Sequence, residues 1–173
     1  EELYKKVHLN FGEKILKIFR VHKMSLITEP ICVHLRLKGN GLQNLKKNKT
    51  KKKFVYLISP NKINSEDFYT DLALVLNSKK VSFFQLRLKK ETNKNKLLIG
   101  KRIKKICKKY KVKFLVNDDP KLAQKLNADG CHLGQKDMSI SKARKILPKK
   151  IIGITCHNSI NLAKRAINDG ADY

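Results

Sequence analysis

The sequence predicts an α/β protein of the (β/α)8 TIM-barrel class, interrupted C-terminally after about five βα units and preceded by a basic N-terminal extension. Three observations predict it. From residue 53 onward, short apolar strand-like runs alternate strictly with amphipathic helical stretches, which is the pattern of a parallel sheet covered by helices. No glycine-rich dinucleotide loop follows the first strand, which weakens the doubly wound alternative. Polar residues also load the C-terminal ends of four successive strands: Arg87 and Lys89, Asn117 and Asp118, Gln135 and Asp137, Thr155 and His157. In a barrel those ends converge on one mouth, where sites are built.

Residues 1–52 differ from the rest and are expected to form a poorly ordered basic extension and linker. Leu3, Val7, Ile15, Leu16, Ile18 and Phe19 can line one face of a short helix, and "KGNGLQNLKKNKTKKK" follows as a flexible, positively charged tether. The partial barrel is expected over residues 53–173. Phe54–Ser59 reads as a strand, and Ser65–Asn77 as a helix by its spacing of Phe68, Leu72, Leu74, Val75 and Leu76. Val81–Lys89 is the next strand, and Leu97–Tyr110 is a helix with a lysine-rich outer face. Val112–Val116 ends at Asn117. Asp119 then serves as N-cap with Pro120 at the first position of a short helix. Gly130–Leu133 is a short strand, Ser141–Leu147 a helix stopped by Pro148, Ile151–Thr155 a strand and Ile160–Asn168 a helix ended by Gly170. The final "ADY" opens one more strand.

The formal net charge is +26, from 40 Lys+Arg against 14 Asp+Glu. Such a field attracts anions. However, the lysines are dispersed and not interleaved with aromatic residues, so a nucleic-acid platform is not expected. Cys32, Cys107, Cys131 and Cys156 form no CxxC and no metal-ligand spacing. Buried thiols in a reducing cytoplasm are the simple reading. No apolar run approaches the ~18 residues of a membrane span. A homo-oligomer is compatible with the sequence.

The chemistry starts at Val81–Lys89. A strand has a side-chain period of two, so Gln85, Arg87 and Lys89 share one face and Leu86 and Leu88 the other. An amide and two cations in line form an anion clamp suited to more than one phosphate oxygen. With Asp119 engaged as a cap, Asp118 is a spare carboxylate. With Ser139 or Ser141 capping the following helix, Asp137 is another. Two spare acids beside cations suit Mg²⁺, which binds through one or two carboxylates and the phosphate oxygens of a substrate. His132 reads as a packed core histidine, and His157 as a loop histidine.

"QLRLK" at 85–89, "ND" at 117–118, "ADGCHLGQKDM" at 128–138, "IIGITCHN" at 151–158 and "GADY" at 170–173 together resemble the thiamine phosphate synthase family, in its order and spacing. The resemblance implies a barrel enzyme that joins an aminopyrimidine diphosphate to thiazole phosphate and releases pyrophosphate. It implies that Gln85, Leu86, Arg87, Leu88, Lys89, Asn117 and Thr155 hold the pyrimidine diphosphate, with Arg87 and Lys89 acting on the leaving group. It also implies that Asp118 and Asp137 bind Mg²⁺. Thr155 stands where the family has Ser and keeps the hydroxyl, while Asp119 replaces a common Arg. A related thiazole tautomerase, working through a histidine such as His157, is the nearest rival. A basic nucleic-acid-binding fragment is the rival of another class. The family's later thiazole-phosphate segment is not among these residues, so residues 1–173 alone are expected to be nearly inactive and sparingly soluble.

Overall fold

The computed structural model describes residues 13–27 and 55–173. Its elements are α1 (Glu13–Val21), β1 (Ser25–Ile27), β2 (Val55–Ile58), α2 (Asp67–Asn77) and β3 (Val81–Leu86). They continue with α3 (Asn93–Lys109), β4 (Lys113–Asn117), α4 (Pro120–Lys125), β5 (Gly130–Leu133), α5 (Ile140–Ile146), β6 (Ile151–Ile154) and α6 (Ile160–Asn168). One sheet runs in the order β1-β2-β3-β4-β5-β6. β2 to β6 are all parallel, and β1 adds an antiparallel edge to β2. The order never reverses, unlike that of a doubly wound sheet.

Strand alternation sorts the side chains into two environments. Leu57, Phe84, Leu86, Phe114, Val116, Cys131, Leu133 and Ile152 join Phe68, Leu72 and Leu76 of α2 and Ile103 and Cys107 of α3 in the main core. The opposite face carries Tyr56, Phe83, Gln85, Asn117, His132 and Gly153, in registers that pair Tyr56 with Phe83 and His132 with both Asn117 and Gly153. The apolar half of each strand thus anchors the helices, and the polar half is left for a site.

Local chemistry accounts for the boundaries. Thr92 Oγ1 accepts from Asn95 N at 3.2 Å, so α3 begins four residues before the expected Leu97. Asp119 is the cap of α4 as expected, its Oδ1 accepting from Leu122 N at 2.9 Å with Pro120 at the start of the helix. After α6, Asp172 N donates to Ile152 O at 2.7 Å and Ile154 N donates to Tyr173 O at 3.0 Å. The "ADY" end therefore begins to pair with β6.

Two expectations need correction. β3 stops at Leu86, its last partner being Val116 of β4, so Arg87 and Lys89 lie in the loop beyond it rather than within a strand. The N-terminal stretch is not wholly without fixed structure, because residues 13–27 fold onto the domain. Ile18, Phe19 and Met24 are buried in the core, and His22 Nε2 meets Asp71 Oδ2 of α2 at 2.7 Å. The helix has enough apolar surface on one side to dock. Residues 1–12 and 28–54, including Leu3, Val7, Cys32, Phe54 and the whole tether, lie outside the described residues. No described helix is long and apolar enough to cross a membrane.

A staple at the other end of the sheet holds β6 and the closing segment together. Arg144 donates to the carbonyls of Lys150 and Gly170, both at 2.6 Å, and pairs with Asp172 Oδ2 at 2.8 Å, which in turn accepts from Ile152 N. Arg144→Ala removes a half-buried donor serving four acceptors, the Leu147 carbonyl at 3.4 Å included. It is expected to cost about 2 kcal/mol, measured as a shift in the urea unfolding midpoint with unchanged slope.

Candidate active site

The site is assembled where β3, β4 and β5 end. Gln85, the last inward residue of β3, is buried and donates through Nε2 to Asn117 Oδ1. That bond fixes both amides, since each has a single sensible orientation when the other is in place. Arg87 follows just past the strand. Its backbone N–H donates to Ser59 Oγ at 2.8 Å, and its Nη1 donates to Asn61 Oδ1 at 2.8 Å. A guanidinium held at one edge has its remaining donors directed as a set. Lys89 Nζ lies 3.9 Å from Asp118 Oδ2, with both side chains partly open to solvent. Leu86 and Leu88 are 3% and 4% exposed and belong to the core, so only their backbone is available to a ligand.

Asp118 takes a left-handed backbone, φ +64°, which Asp tolerates better than most residues. Its N–H donates to the His132 carbonyl at 2.7 Å, tying the end of β4 to β5. The carboxyl of Asp118 faces that of Asp137 at hydrogen-bonding range. Burial, and then the hydrogen bond and charge of Asp137, raise Asp118 above its ordinary value, with Lys89 and Arg87 pulling it back. Two acids and two cations therefore share one small volume. Asp137 is not idle, as the sequence suggested. Its Oδ2 accepts from Gly134 N at 2.6 Å and closes the loop after β5. Ser139 begins α5 without a side-chain cap bond, its hydroxyl turned to Ser141 instead.

The facing carboxyls test the fit of a hard cation. Their oxygens suit Mg²⁺, and their mutual approach is unfavourable when both are charged unless a proton or cation lies between them. Among the described residues no cluster of three or more His, Cys, Asp or Glu side chains is present. A cation here would take these two carboxylates among the described residues, with other oxygens completing its shell. Because the folded-state value of Asp118 is raised, folding gains from its protonated form at low pH. That stability falls as pH rises from the ordinary carboxylate value through the raised one. Asp118→Asn is therefore expected to raise the thermal midpoint at neutral pH without Mg²⁺ and to abolish any midpoint rise on adding Mg²⁺. A fall in the metal-free midpoint would count against the crowding of these acids.

Thr155 stands just after β6, its N–H donating to Leu133 O at 2.9 Å and its carbonyl accepting from Gln135 Nε2 at 2.6 Å. His132 Nε2 lies 2.8 Å from Thr155 Oγ1, and its Nδ1 lies 3.2 Å from Tyr173 Oη. Burial pushes the His132 imidazolium down to about 4, so the ring is neutral at physiological pH. This matches its reading as a packed histidine. His157, also in a left-handed conformation, lines a cavity of about 400 Å³ with Cys156, Ile160 and Tyr173 at the β6 edge, and that lining includes neither Asp118 nor Asp137.

Sequence reasoning missed Ser59 and Asn61, which hold Arg87. The signal was present, because both follow the end of β2 at the same rim that supplied the other candidates. It also missed Tyr56 and Tyr173, whose hydroxyls meet at 2.8 Å across the inner face. An aromatic residue in a strand gives no hint of which phenol it will find 117 positions away.

The family model described as thiamine monophosphate synthase matches residues 55–173. A thiamine-phosphate synthase of Pelagibacter ubique is 80% identical over 129 residues, covering 75% of this chain and 62% of that protein. One from Marinobacter nauticus is 39% identical over 123 residues, covering 69% of this chain and 54% of that protein. The chain thus spans less than two thirds of the length of these relatives. The solved structure of a thiamine phosphate pyrophosphorylase from Pyrococcus furiosus superposes with a TM-score of 0.60 at 30% identity, over 67% of this chain and 55% of that one. With the family model matched along the whole parallel sheet and its rim, the chain belongs to the thiamine monophosphate synthase family.

Proposed function

We propose that this chain carries the diphosphate-binding part of a thiamine phosphate synthase. The enzyme condenses 4-amino-2-methyl-5-(diphosphooxymethyl)pyrimidine with thiazole phosphate to give thiamine phosphate and pyrophosphate. One observation carries the reading: Arg87 and Lys89 converge with the facing Asp118 and Asp137 at the strand ends. Family membership and the relatives' printed names support it. The monotonic strand order supports placing this sheet in the wall of a (β/α)8 barrel. Residues 53–173 are the proposed domain, in a reducing cytoplasm, with free thiols at Cys107 and Cys131. Self-association is compatible with it.

In the proposed reaction the bond between the pyrimidine methylene carbon and the bridging oxygen breaks, and its electron pair leaves with pyrophosphate. The thiazole nitrogen then bonds to the pyrimidine-stabilised cation. Negative charge grows on the departing group, so groups fixed beside it act chiefly on the transition state. Arg87, pre-set by Ser59 and Asn61, offers its free donors to the diphosphate, and Lys89 adds a second cation. Gln85 and Asn117, locked to each other, present amide edges to the pyrimidine end, and Thr155 offers its hydroxyl. Mg²⁺ held by Asp118 and Asp137 would supply further positive charge to the phosphate oxygens. No nucleophilic side chain is required.

Calorimetric titration of the pyrimidine diphosphate into the chain tests the proposal. Binding is expected only with Mg²⁺, with Asp137→Asn weakening it by on the order of 10-fold or more, as for loss of one charged partner. Equal binding with and without Mg²⁺ would remove the metal from the reading. Absence of binding under both conditions would remove the function.

A further inference from the structure

The inner face of the sheet contains a chain of hydrogen bonds that nothing in the proposed reaction requires. Tyr56 Oη of β2 meets Tyr173 Oη at 2.8 Å, Tyr173 Oη meets His132 Nδ1 at 3.2 Å, and His132 Nε2 meets Thr155 Oγ1 at 2.8 Å. It links residues from β2, β5, the end of β6 and the segment beyond α6. Gly153 makes room for it, since a Cβ there would sit 2.1 Å from Tyr173 Cζ.

Counting hydrogens gives the chain a direction. The neutral ring contributes one N–H, so four donors serve three bonds and one hydrogen is left at an end or in the middle. If the bonds run from Thr155 towards Tyr56, the spare hydrogen belongs to Tyr56. That residue is 2% exposed, and its hydroxyl has no other hydrogen-bond partner among the described residues. A mixed arrangement strands the hydrogen of Tyr173 instead. Either leaves a donor unsatisfied within the sheet, which costs more than a typical hydrogen bond gains. If the bonds run from Tyr56 towards Thr155, every inner donor is used and the spare hydrogen is that of Thr155, at the mouth.

We infer that Tyr56, Tyr173 and His132 form a positioning relay that holds the imidazole in its Nε2–H form and thereby presents the Thr155 hydroxyl as a donor to an anionic ligand at the rim. The anionic ligand rests on the proposed function, whereas the direction of the relay does not. Thr155 Oγ1, accepting from His132, has its own hydrogen turned outward. Without the relay, the hydroxyl can donate back to Nε2 and offer the ligand only lone pairs.

Two measurements separate the parts. Long-range ¹H–¹⁵N correlation spectra of the labelled chain at neutral pH report the His132 tautomer with no ligand present. A protonated Nε2 and an unprotonated Nδ1 are expected, with Tyr173→Phe admitting the Nδ1–H form. A wild-type ring protonated at Nδ1, or a tautomer untouched by Tyr173→Phe, would overturn the relay. The second measurement titrates inorganic pyrophosphate with Mg²⁺. Tyr173→Phe and Thr155→Val are each expected to weaken binding about 3- to 10-fold, the size of one neutral hydrogen bond. The double variant should be no weaker than the worse single, because the two side chains are joined through His132. Multiplying effects would refute the coupling. If the tautomer is as expected but wild type does not bind pyrophosphate, the function is refuted and the direction of the relay stands.

Discussion

Arg87→Ala is expected to weaken binding of the pyrimidine diphosphate by on the order of 10- to 100-fold, the loss of a charge-assisted, multidentate contact. Where turnover is measured in the synthase, kcat/KM should fall by on the order of 10²–10³, comparable to removing one preorganised donor. The larger kinetic effect follows from timing. Charge on the leaving pyrophosphate grows along the reaction, so a fixed guanidinium helps the transition state more than the ground state. The structure makes Arg87 fixed rather than merely present: its N–H is held by Ser59 and its Nη1 by Asn61. Arg87→Lys, which keeps the charge and loses the planar fork, should recover only part of the activity. Asn61→Ala should produce a smaller loss of the same kind, by freeing a guanidinium that is otherwise intact. Near-normal kinetics for Arg87→Ala would exclude the clamp, and equal losses for Arg87→Lys and Arg87→Ala would make geometry rather than charge the decisive factor.

The division between what the sequence made legible and what it did not follows the range of the interactions. β5 and α6 were readable to the residue because local signals bound them: Gly130 ahead of Cys131 and Leu133, and Gly170 just past the helix. The assignment of Asp119 to capping was likewise local, its Oδ1 accepting from Leu122 N three residues on. The end of β3 was misplaced because its alternation continues through Leu88, while pairing with β4 ends at Val116. Pattern shows which way a residue faces; partners decide where a strand stops. The same limit hid the docking of α1 through Ile18 and Phe19 and the whole Tyr56–Tyr173–His132 chain. Each depends on what the fold brings close, and the residue types involved are ordinary wherever they occur.

Gly130→Ala is expected to have the largest effect on stability of any methyl-sized change in the sheet. A Cβ at Gly130 would lie 1.9 Å from the Ile151 carbonyl oxygen and 2.7 Å from its carbon, both backbone atoms of the paired strand. Flexible side chains can move aside, but here β5 and β6 would have to separate. Neighbouring contacts resist that movement. Ile151 N is bonded to Asp129 O, and the Asp129 carboxylate holds Phe114 N at 2.9 Å and Lys113 Nζ at 3.1 Å, fixing the entry to β5 from the β4 side. A loss of about 4 kcal/mol or more, the range of the severest single substitutions, should abolish cooperative unfolding or leave the protein insoluble. Gly170→Ala is the matched control. Gly170 has φ +94° with nothing near its Cβ position, so only backbone strain of roughly 1–2 kcal/mol is expected. The contrast bears on function because β5 carries His132, whose carbonyl holds Asp118, and leads into the loop that aims Asp137. Displacing β5 separates the two acids, so a folded remnant of Gly130→Ala should lose the Mg²⁺-dependent binding of the pyrimidine diphosphate. A soluble Gly130→Ala protein with the wild-type midpoint and unaltered Mg²⁺-dependent binding would mean that β5 and β6 are not packed this closely, and that the facing of Asp118 and Asp137 does not depend on their pairing.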